Sequence, residues 1–295
     1  MQTTKNSSVR KKQRQVANTI SRSMGLRDVP FVQSVAHTRP SKRVVSPEYA
    51  KRVAAVSRGL EYFTFLNPKT IKGLEYGWIT AILHLAPANY SGYTVCKRFS
   101  QCMETCLYHQ GRGRMKNVQN ARIRRTRNLI ENFEDTMLQI QAELMRLQAK
   151  LKTHFPELQL ACRPNGLSDL EWENMPVARF GGNTLFQEFP DIQFYDYTKI
   201  PYGQRKAWTN MPHNYHLTYS FDGREEDVDN CKLVLQHGYN VNVVHNKITY
   251  KASNHAETRI WDYPTYDNEE HDLRFTDARP LVLLGKEKGY SNIAI

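Results

Sequence analysis

Cys96, Cys102 and Cys106 stand in the pattern Cys-x5-Cys-x3-Cys, so three of the chain's five cysteines fall within eleven positions, and His109 follows shortly after. Three loop thiolates can hold an iron–sulfur cluster and leave one iron open to an outside ligand. Three thiolates and one imidazole can instead complete a tetrahedral zinc site, a short knuckle often used on RNA. The third reading is that small residues are merely neighbours. The short interval to His109 leaves little chain for the imidazole to fold back, which counts against zinc. The basic residues Lys97, Arg98, Arg112 and Arg114 are expected to lower the thiol pKa values and to offset the charge of a thiolate-ligated cluster. Cys162 and Cys231 lie in apolar stretches and are expected to be small buried residues.

These cysteines need elements to hold them. "YGWITAILHLAP" and "LEYFTFLNP" are rich in aromatic and β-branched residues and stop at Pro87 and Pro68, so both read as strands, with the cysteine loop directly after the first. Downstream, Ile123, Ile130, Phe133, Met137, Ile140, Leu144, Leu147 and Leu151 step mostly by three and four, which predicts one long helix over residues 117–151. "LQLACRP", "DIQFYDYTK", "YHLTYSF" and "YNVNVVH" read as strands, with "SDLEWENM" and "NTLFQEFP" as short helical or turn segments and "EEDVDNCKLVLQHG" as a helix. Strands alternating with helices over short connections predict parallel β/α units, either a partial β/α barrel or an open doubly wound sheet.

Upstream, "SPEYAKRVAAVSRGL" carries a complete helix start: Ser46 to cap, Pro47 at the first position and Glu48 at the positive dipole end. The expected organisation is a basic, mostly disordered tail over residues 1–45, a linking helix over 46–60 and one α/β domain over 61–295 that bears the cysteine loop.

The charge is concentrated. The chain has 41 Lys+Arg against 29 Asp+Glu, but residues 1–60 hold 13 of the former and only Asp28 and Glu48 of the latter, leaving 28 against 27 for the remainder. A second island, from Lys97 to Arg127, has nine Lys/Arg against Glu104 alone. Such patches suit a polyanion, since each cation placed on a phosphate releases a counterion. Arg10, Lys11, Lys12 and Arg14 in the head and Arg112, Arg114, Arg122, Arg124 and Arg125 in the island are the expected nucleic-acid contacts. No stretch is long and apolar enough to span a bilayer, and Met1 is followed by no apolar signal region, so a soluble protein of a reducing, cytoplasmic compartment is expected.

In parallel β/α folds functional groups gather at the carboxyl ends of the strands. Those ends carry Arg163, Asn165, Ser168 and Asp169; Tyr195, Asp196, Tyr197 and Lys199; Tyr219, Ser220 and Asp222; and His245 and Asn246. Asn165, Asp169, Tyr195, Asp196, Lys199, Tyr219 and His245 are therefore candidate catalytic residues. Asp272 and Arg274 in "HDLRFTDARP", which also holds Asp277, join them as a base or metal ligand and an anion-binding fork, against the alternative of an ion pair closing the barrel at its last strand. Trp172, Trp208 and Trp261 could stack on bases or fill a core. The chain has no Gly-x4-Gly-Lys-Ser/Thr loop and no histidine pair flanking one residue, which speaks against P-loop hydrolysis and a rolling-circle nuclease.

The ordered motifs "CKRFSQCMETCLYHQGRG", "NARIRRTRN", "RPNGLSD", "FPDIQFYDYTK", "NYHLTYSFDG", "HDLRFTDARP" and "VLLGKEKG" resemble the gene product 88 family of phage proteins over residues 61–290. That family in turn looks like the radical S-adenosylmethionine enzymes, with a cysteine loop after the first strand of a partial β/α barrel. The resemblance implies that Cys96, Cys102 and Cys106 are iron–sulfur ligands and that the protein works in the cytoplasm of an infected host cell, and it allows S-adenosylmethionine as a co-substrate. The spacing departs from the usual Cys-x3-Cys-x2-Cys of those enzymes. The function expected is that of a metalloprotein acting on or bound to nucleic acid or nucleotides, with a non-catalytic nucleic-acid-binding protein holding zinc or no metal as the alternative.

Overall fold

The computed structural model describes residues 42–65, 67–96, 98, 99, 102, 106–178, 182–245 and 258–286. Arg10, Lys11, Lys12, Arg14, Lys97, Asn246 and Lys288 lie outside them, as does nearly all of the basic tail.

The fold is mixed α/β around a nine-stranded, mostly parallel sheet with the order β1-β2-β3-β4-β5-β6-β9-β8-β7. The strands are β1 (Phe63–Thr64), β2 (Trp78–Leu83), β3 (Gln159–Arg163), β4 (Gln193–Thr198), β5 (Tyr215–Ser220), β6 (Asn240–His245), β7 (Arg259–Ile260), β8 (Tyr263–Asp267) and β9 (Val282–Lys286). From β1 to β6 spatial order follows chain order, without the reversal that marks a doubly wound sheet. β1 pairs antiparallel with β2 and β7 with β8, whereas β2–β3, β3–β4, β5–β6, β6–β9 and β8–β9 are parallel. By compactness the described chain divides into two units, one built on residues 39–197 and 206–216, the other on residues 198–205 and 217 onward.

In the first unit, α1 (Pro47–Ala55) begins where the cap predicts: the Ser46 hydroxyl accepts the Tyr49 N–H at 3.1 Å, with Pro47 in the first turn. α2 (Pro68–Leu74) occupies residues read as the end of a strand. The Asn67 side chain accepts the Lys69 and Thr70 N–H groups, and Pro68, unable to continue a ladder, starts the helix. The predicted long helix is two, α3 (Lys116–Glu131) and α4 (Phe133–His154), parted at Asn132, whose backbone (φ −128°, ψ 56°) is not helical. The break lets each helix choose its own inner face. α4 buries Met137, Ile140, Leu144, Leu147 and Leu151, whereas α3 turns Arg122, Thr126 and Leu129 inward and leaves Ile130 42% exposed. α3 thus brings a charge into the core, and the site below depends on that.

Glu143, fully buried on α4, accepts the N–H groups of Glu61 at 2.6 Å, Tyr62 at 3.0 Å and Phe63 at 3.3 Å. One carboxylate thereby satisfies the amides leading into the edge strand β1. α5 (Leu185–Glu188) then leads from β3 towards β4.

In the second unit, α6 (Val228–Gln236) connects β5 to β6, and the "EED" before it forms one 3-10 turn. β8 pairs parallel with β9. Cys162 and Cys231 are both buried, as their apolar settings predict.

Replacing Glu143 with Gln keeps one acceptor and removes the charge, which for a buried charged hydrogen bond costs about 2 kcal/mol. Amide hydrogen exchange at Tyr62 and Phe63 is expected to accelerate roughly thirtyfold in the variant, at about 1.4 kcal/mol per tenfold. Unchanged protection at those two amides would show that Glu143 does not hold the edge.

Candidate metal centre

The chain leaves β2 through His84 and reaches Pro87, after which Ala88 adopts a left-handed backbone (φ 50°) although it carries a Cβ. That conformation costs an L-residue about 1 kcal/mol or more. It aims the Ala88 N–H at the sulfur of Cys96, 3.1 Å away. Strain that points a backbone donor at a sulfur is the pattern expected where a thiolate is to be stabilised. Thr126 reaches across from α3 and accepts the Ala86 N–H at 2.8 Å, fixing this exit from the strand.

Cys96, Cys102 and Cys106 are all half-buried free thiols in the segment that follows. They lie close enough to feel one another. Contrary to the lowering expected from nearby Lys and Arg, the Cys96 thiol is pushed up to about 11, first by burial and then by Cys102, Cys106 and Asp169, with the Ala88 N–H pulling the other way. Cys96 is therefore a protonated thiol at neutral pH, and any metal it binds must displace that proton. Among the described residues no group of three or more His, Cys, Asp or Glu side chains stands in a metal-holding arrangement.

His109 is committed elsewhere. Its Nε2 is 2.8 Å from the Tyr90 hydroxyl, and its ring meets Tyr90 and Tyr108 edge-on while those two rings stack at 4.6 Å. Serving zinc through that nitrogen would cost this contact. Behind Tyr108 lies the guanidinium of Arg122, 5.7 Å from the ring centroid, only 9% exposed, with no hydrogen-bond partner for Nη1 among the described residues. Burial and neighbouring Arg125 pull Arg122 below its ordinary value, while Tyr108 and Cys106 act to keep it charged. Gly113 makes room for it: a Cβ there would lie 2.6 Å from the Leu107 carbonyl and 3.2 Å from Arg122 Nη1.

The loop after β3 closes the other side. Gly166 donates its N–H to the Leu83 carbonyl at 2.9 Å, and a Cβ on it would lie 2.6 Å from that oxygen, so only glycine fits. Asp169 donates its N–H to the Val95 carbonyl at 2.8 Å, which sets it beside Cys96. Asn165 and Asp196, read as catalytic candidates, are the lock of this loop. The Asn165 carbonyl accepts from Ser168, Leu170 and Trp172, its amide donates to Leu170 and Asp196, and Asp196 also accepts the Asn165 N–H and the Tyr215 hydroxyl. Both are buried and serve as positioning groups. Tyr195 is fully buried in β4, and Trp172 and Trp208 are core residues.

The remaining candidates lie in the second unit. Lys199 donates to Ser220 and Phe221 oxygens at 3.0–3.3 Å. Tyr219 donates to Asp227 at 2.6 Å, its phenol raised by burial and then by that carboxylate. Arg274 and Asp277 form a fully buried ion pair at 3.2 Å, Asp272 is 5% exposed, and His245 ends β6 half-buried. None of these is brought to the cysteines within one unit.

The basic island also divides. Arg124 pairs with Glu61, Arg125 donates to the Glu61 carbonyl and Arg127 to that of Ser91, while Arg112 and Arg114 are exposed with no ion pair among the described residues. Of the five island arginines proposed to meet nucleic acid, Arg112, Arg114 and the ion-paired Arg124 are exposed, whereas Arg122 is buried and Arg125 half-buried.

Sequence reasoning passed over His84. Its Nδ1 is 3.0 Å from the Thr64 hydroxyl, and its pKa is driven down to about 3, first by burial and then by Arg122, Arg163 and Arg125. Arg163 lies over the Tyr197 ring, 4.6 Å from its centroid. The only signal was its place directly after an apolar strand.

The sequence profile of the family described as gene product 88 matches residues 55–294, most of the chain and all of this site. The chain belongs to the gene product 88 family. No curated protein and no solved structure matches it. The gene product 88 match spans the cysteine loop, the Asn165 lock and the last strand, and it stops short of the basic head. Among the described residues no helix is long and apolar enough to cross a membrane.

The depressed His84 value has a consequence for folding. The unfolded chain protonates this residue near pH 6.5 and the folded chain only near pH 3, so between them the unfolded state binds more protons. Its share of stability is present above about pH 6.5 and declines as pH falls toward 3, by the order of a few kcal/mol. A His84→Gln variant is expected to lose less stability than the wild type between pH 7 and pH 4, measured by urea unfolding; parallel pH profiles would contradict this.

Proposed function

We propose that this protein is a phage metalloprotein in which Cys96, Cys102 and Cys106 ligate an iron–sulfur cluster at the carboxyl end of β2, and that it modifies a nucleotide or nucleic acid. The observation that carries the reading is the set of three half-buried thiols in one short segment, each raising the Cys96 pKa or bearing it, with a strained backbone N–H aimed at one sulfur. The chemistry of the donors fits the group, since thiolates in a half-dry, cationic setting are cluster ligands. Ligation would require the three sulfurs to draw together, since among the described residues they do not stand in a metal-holding arrangement. When bound, the cluster supplies one-electron chemistry and an open iron for an outside ligand. The chain's own part is to release the Cys96 proton, to hold Cys96 through Ala88, and to offset the cluster charge with Arg122.

The unreversed order of β1 to β6 supports a partial β/α barrel of the radical-enzyme kind over a doubly wound sheet. S-adenosylmethionine is the co-substrate this reading implies. The zinc alternative is disfavoured by the commitment of His109 to Tyr90.

Protein purified without oxygen is expected to be brown, to carry about four iron atoms and no zinc, and to lose both iron and colour in Cys96→Ala, Cys102→Ala and Cys106→Ala. Colourless protein with stoichiometric zinc would establish the binding-module alternative. For the nucleic-acid partner, the support is the basic head together with exposed Arg112 and Arg114. Deleting residues 1–45 is expected to weaken DNA or RNA binding and to flatten its dependence on salt, because each lost phosphate contact removes about 0.9 from the logarithmic slope. An unchanged slope would remove the head from the interface.

A further inference from the structure

The cations behind the cysteine segment exceed what thiolates alone require. Arg122, Arg125 and Arg163 all act on one imidazole, that of His84. β2 and β3 pair Ile82 with Arg163, and side chains alternate along a strand, so His84 and Arg163 share one sheet face at the carboxyl ends. Tyr197 braces the Arg163 guanidinium from below. Arg125 is turned away to the Glu61 carbonyl. Arg122 is not: more than nine-tenths of it is buried, and its Nη1 has no hydrogen-bond partner among the described residues. Leaving a buried guanidinium N–H unsatisfied is costly, and an oxyanion is the group whose geometry and charge answer it. The glycines at 113 and 166 bring backbone close on either side, where a Cβ would clash with carbonyl oxygens at 2.6 Å.

We propose that Arg122, Arg163 and His84 bind an oxyanion, the phosphate or carboxylate of a small molecule, at the carboxyl ends of β2 and β3. The depth of Arg122 excludes the backbone of a nucleic acid, which reaches only exposed cations. Beside Cys106, the site places the anchored molecule next to the metal centre; the inference deepens the reading of that centre and rests on it for what the ligand does once bound. His84 sits against the anion as a neutral imidazole, and the two guanidinium groups supply the charge.

Calorimetric titration of the full-length, anaerobically purified protein with inorganic phosphate, and separately with acetate, tests this. Saturable binding of one of the two is expected, identifying the oxyanion. Arg163→Gln is expected to weaken it roughly tenfold or more, the worth of a charge-assisted fork contact. Arg163→Lys, which keeps the charge and loses the fork, is expected to weaken it less while keeping the wild-type melting temperature. Arg112→Gln, the same charge loss on an exposed residue, is expected to change little. No saturable binding of either anion by the wild type, or equal weakening by Arg163→Gln and Arg112→Gln, would overturn the proposal. Iron measured on the same samples separates the two readings: lost anion binding with full iron sinks the anion site alone, and retained anion binding without iron sinks the cluster alone.

Discussion

A guanidinium held where water scarcely reaches is the constraint around which the first unit is arranged. Burying an arginine is expensive unless its charge is answered, yet α3 turns Arg122 inward together with Thr126 and Leu129 and leaves Ile130 in solvent. The consequences spread outward from that choice. Burial first, and then the positive field, keep His84 neutral far below its ordinary value, the ring of Tyr108 takes up part of the charge through its face, and Gly113 yields the space the side chain needs. What remains is a positive, half-dry corner beside three thiols. The proposed thiolate-ligated cluster and the proposed oxyanion are both negative groups that suit such a corner.

The scaffold around the corner is rigid for identifiable reasons. Glu143 ties the entry to β1, Thr126 ties the exit from β2, and the closed Asn165–Asp196 network ties the loop after β3. Each uses buried polar groups whose partners are satisfied, the condition under which such networks specify one arrangement. On the proposed reading, these fixed walls limit where the three sulfurs meet when metal binds.

Much of the scaffold was legible in the chain. Ser46, Pro47 and Glu48 announce α1, and the β-branched "WITAIL" announces β2, because caps and strand composition act locally. α2 was hidden because Pro68 reads equally as the stop of a strand and as the start of a helix, and Asn67 decides between them. The split at Asn132 was hidden because an apolar stripe at helical spacing runs through it, and the true inner face of α3 includes an arginine that no hydrophobic pattern selects. β8, "YPTYD", carries a proline and no apolar run, and its pairing with β9 is a long-range fact. In the site, spacing picked out the cysteines and strand ends picked out Asp169. It also picked out Asn165 and Asp196, whose polarity serves a buried lock. His84, Arg122 and Arg163 matter through a field that three separate elements create together, and no single stretch of sequence displays it.

The account stands on the three sulfur atoms of the cysteine segment sharing iron. Mössbauer spectroscopy of anaerobic protein enriched with the active iron isotope measures this directly. A four-iron cluster is predicted, with one iron whose signal shifts when a small-molecule ligand is added, as one open coordination position requires. Iron that gives only the signal of loosely bound, isolated ions, in protein whose three thiols remain fully alkylatable, would contradict the account.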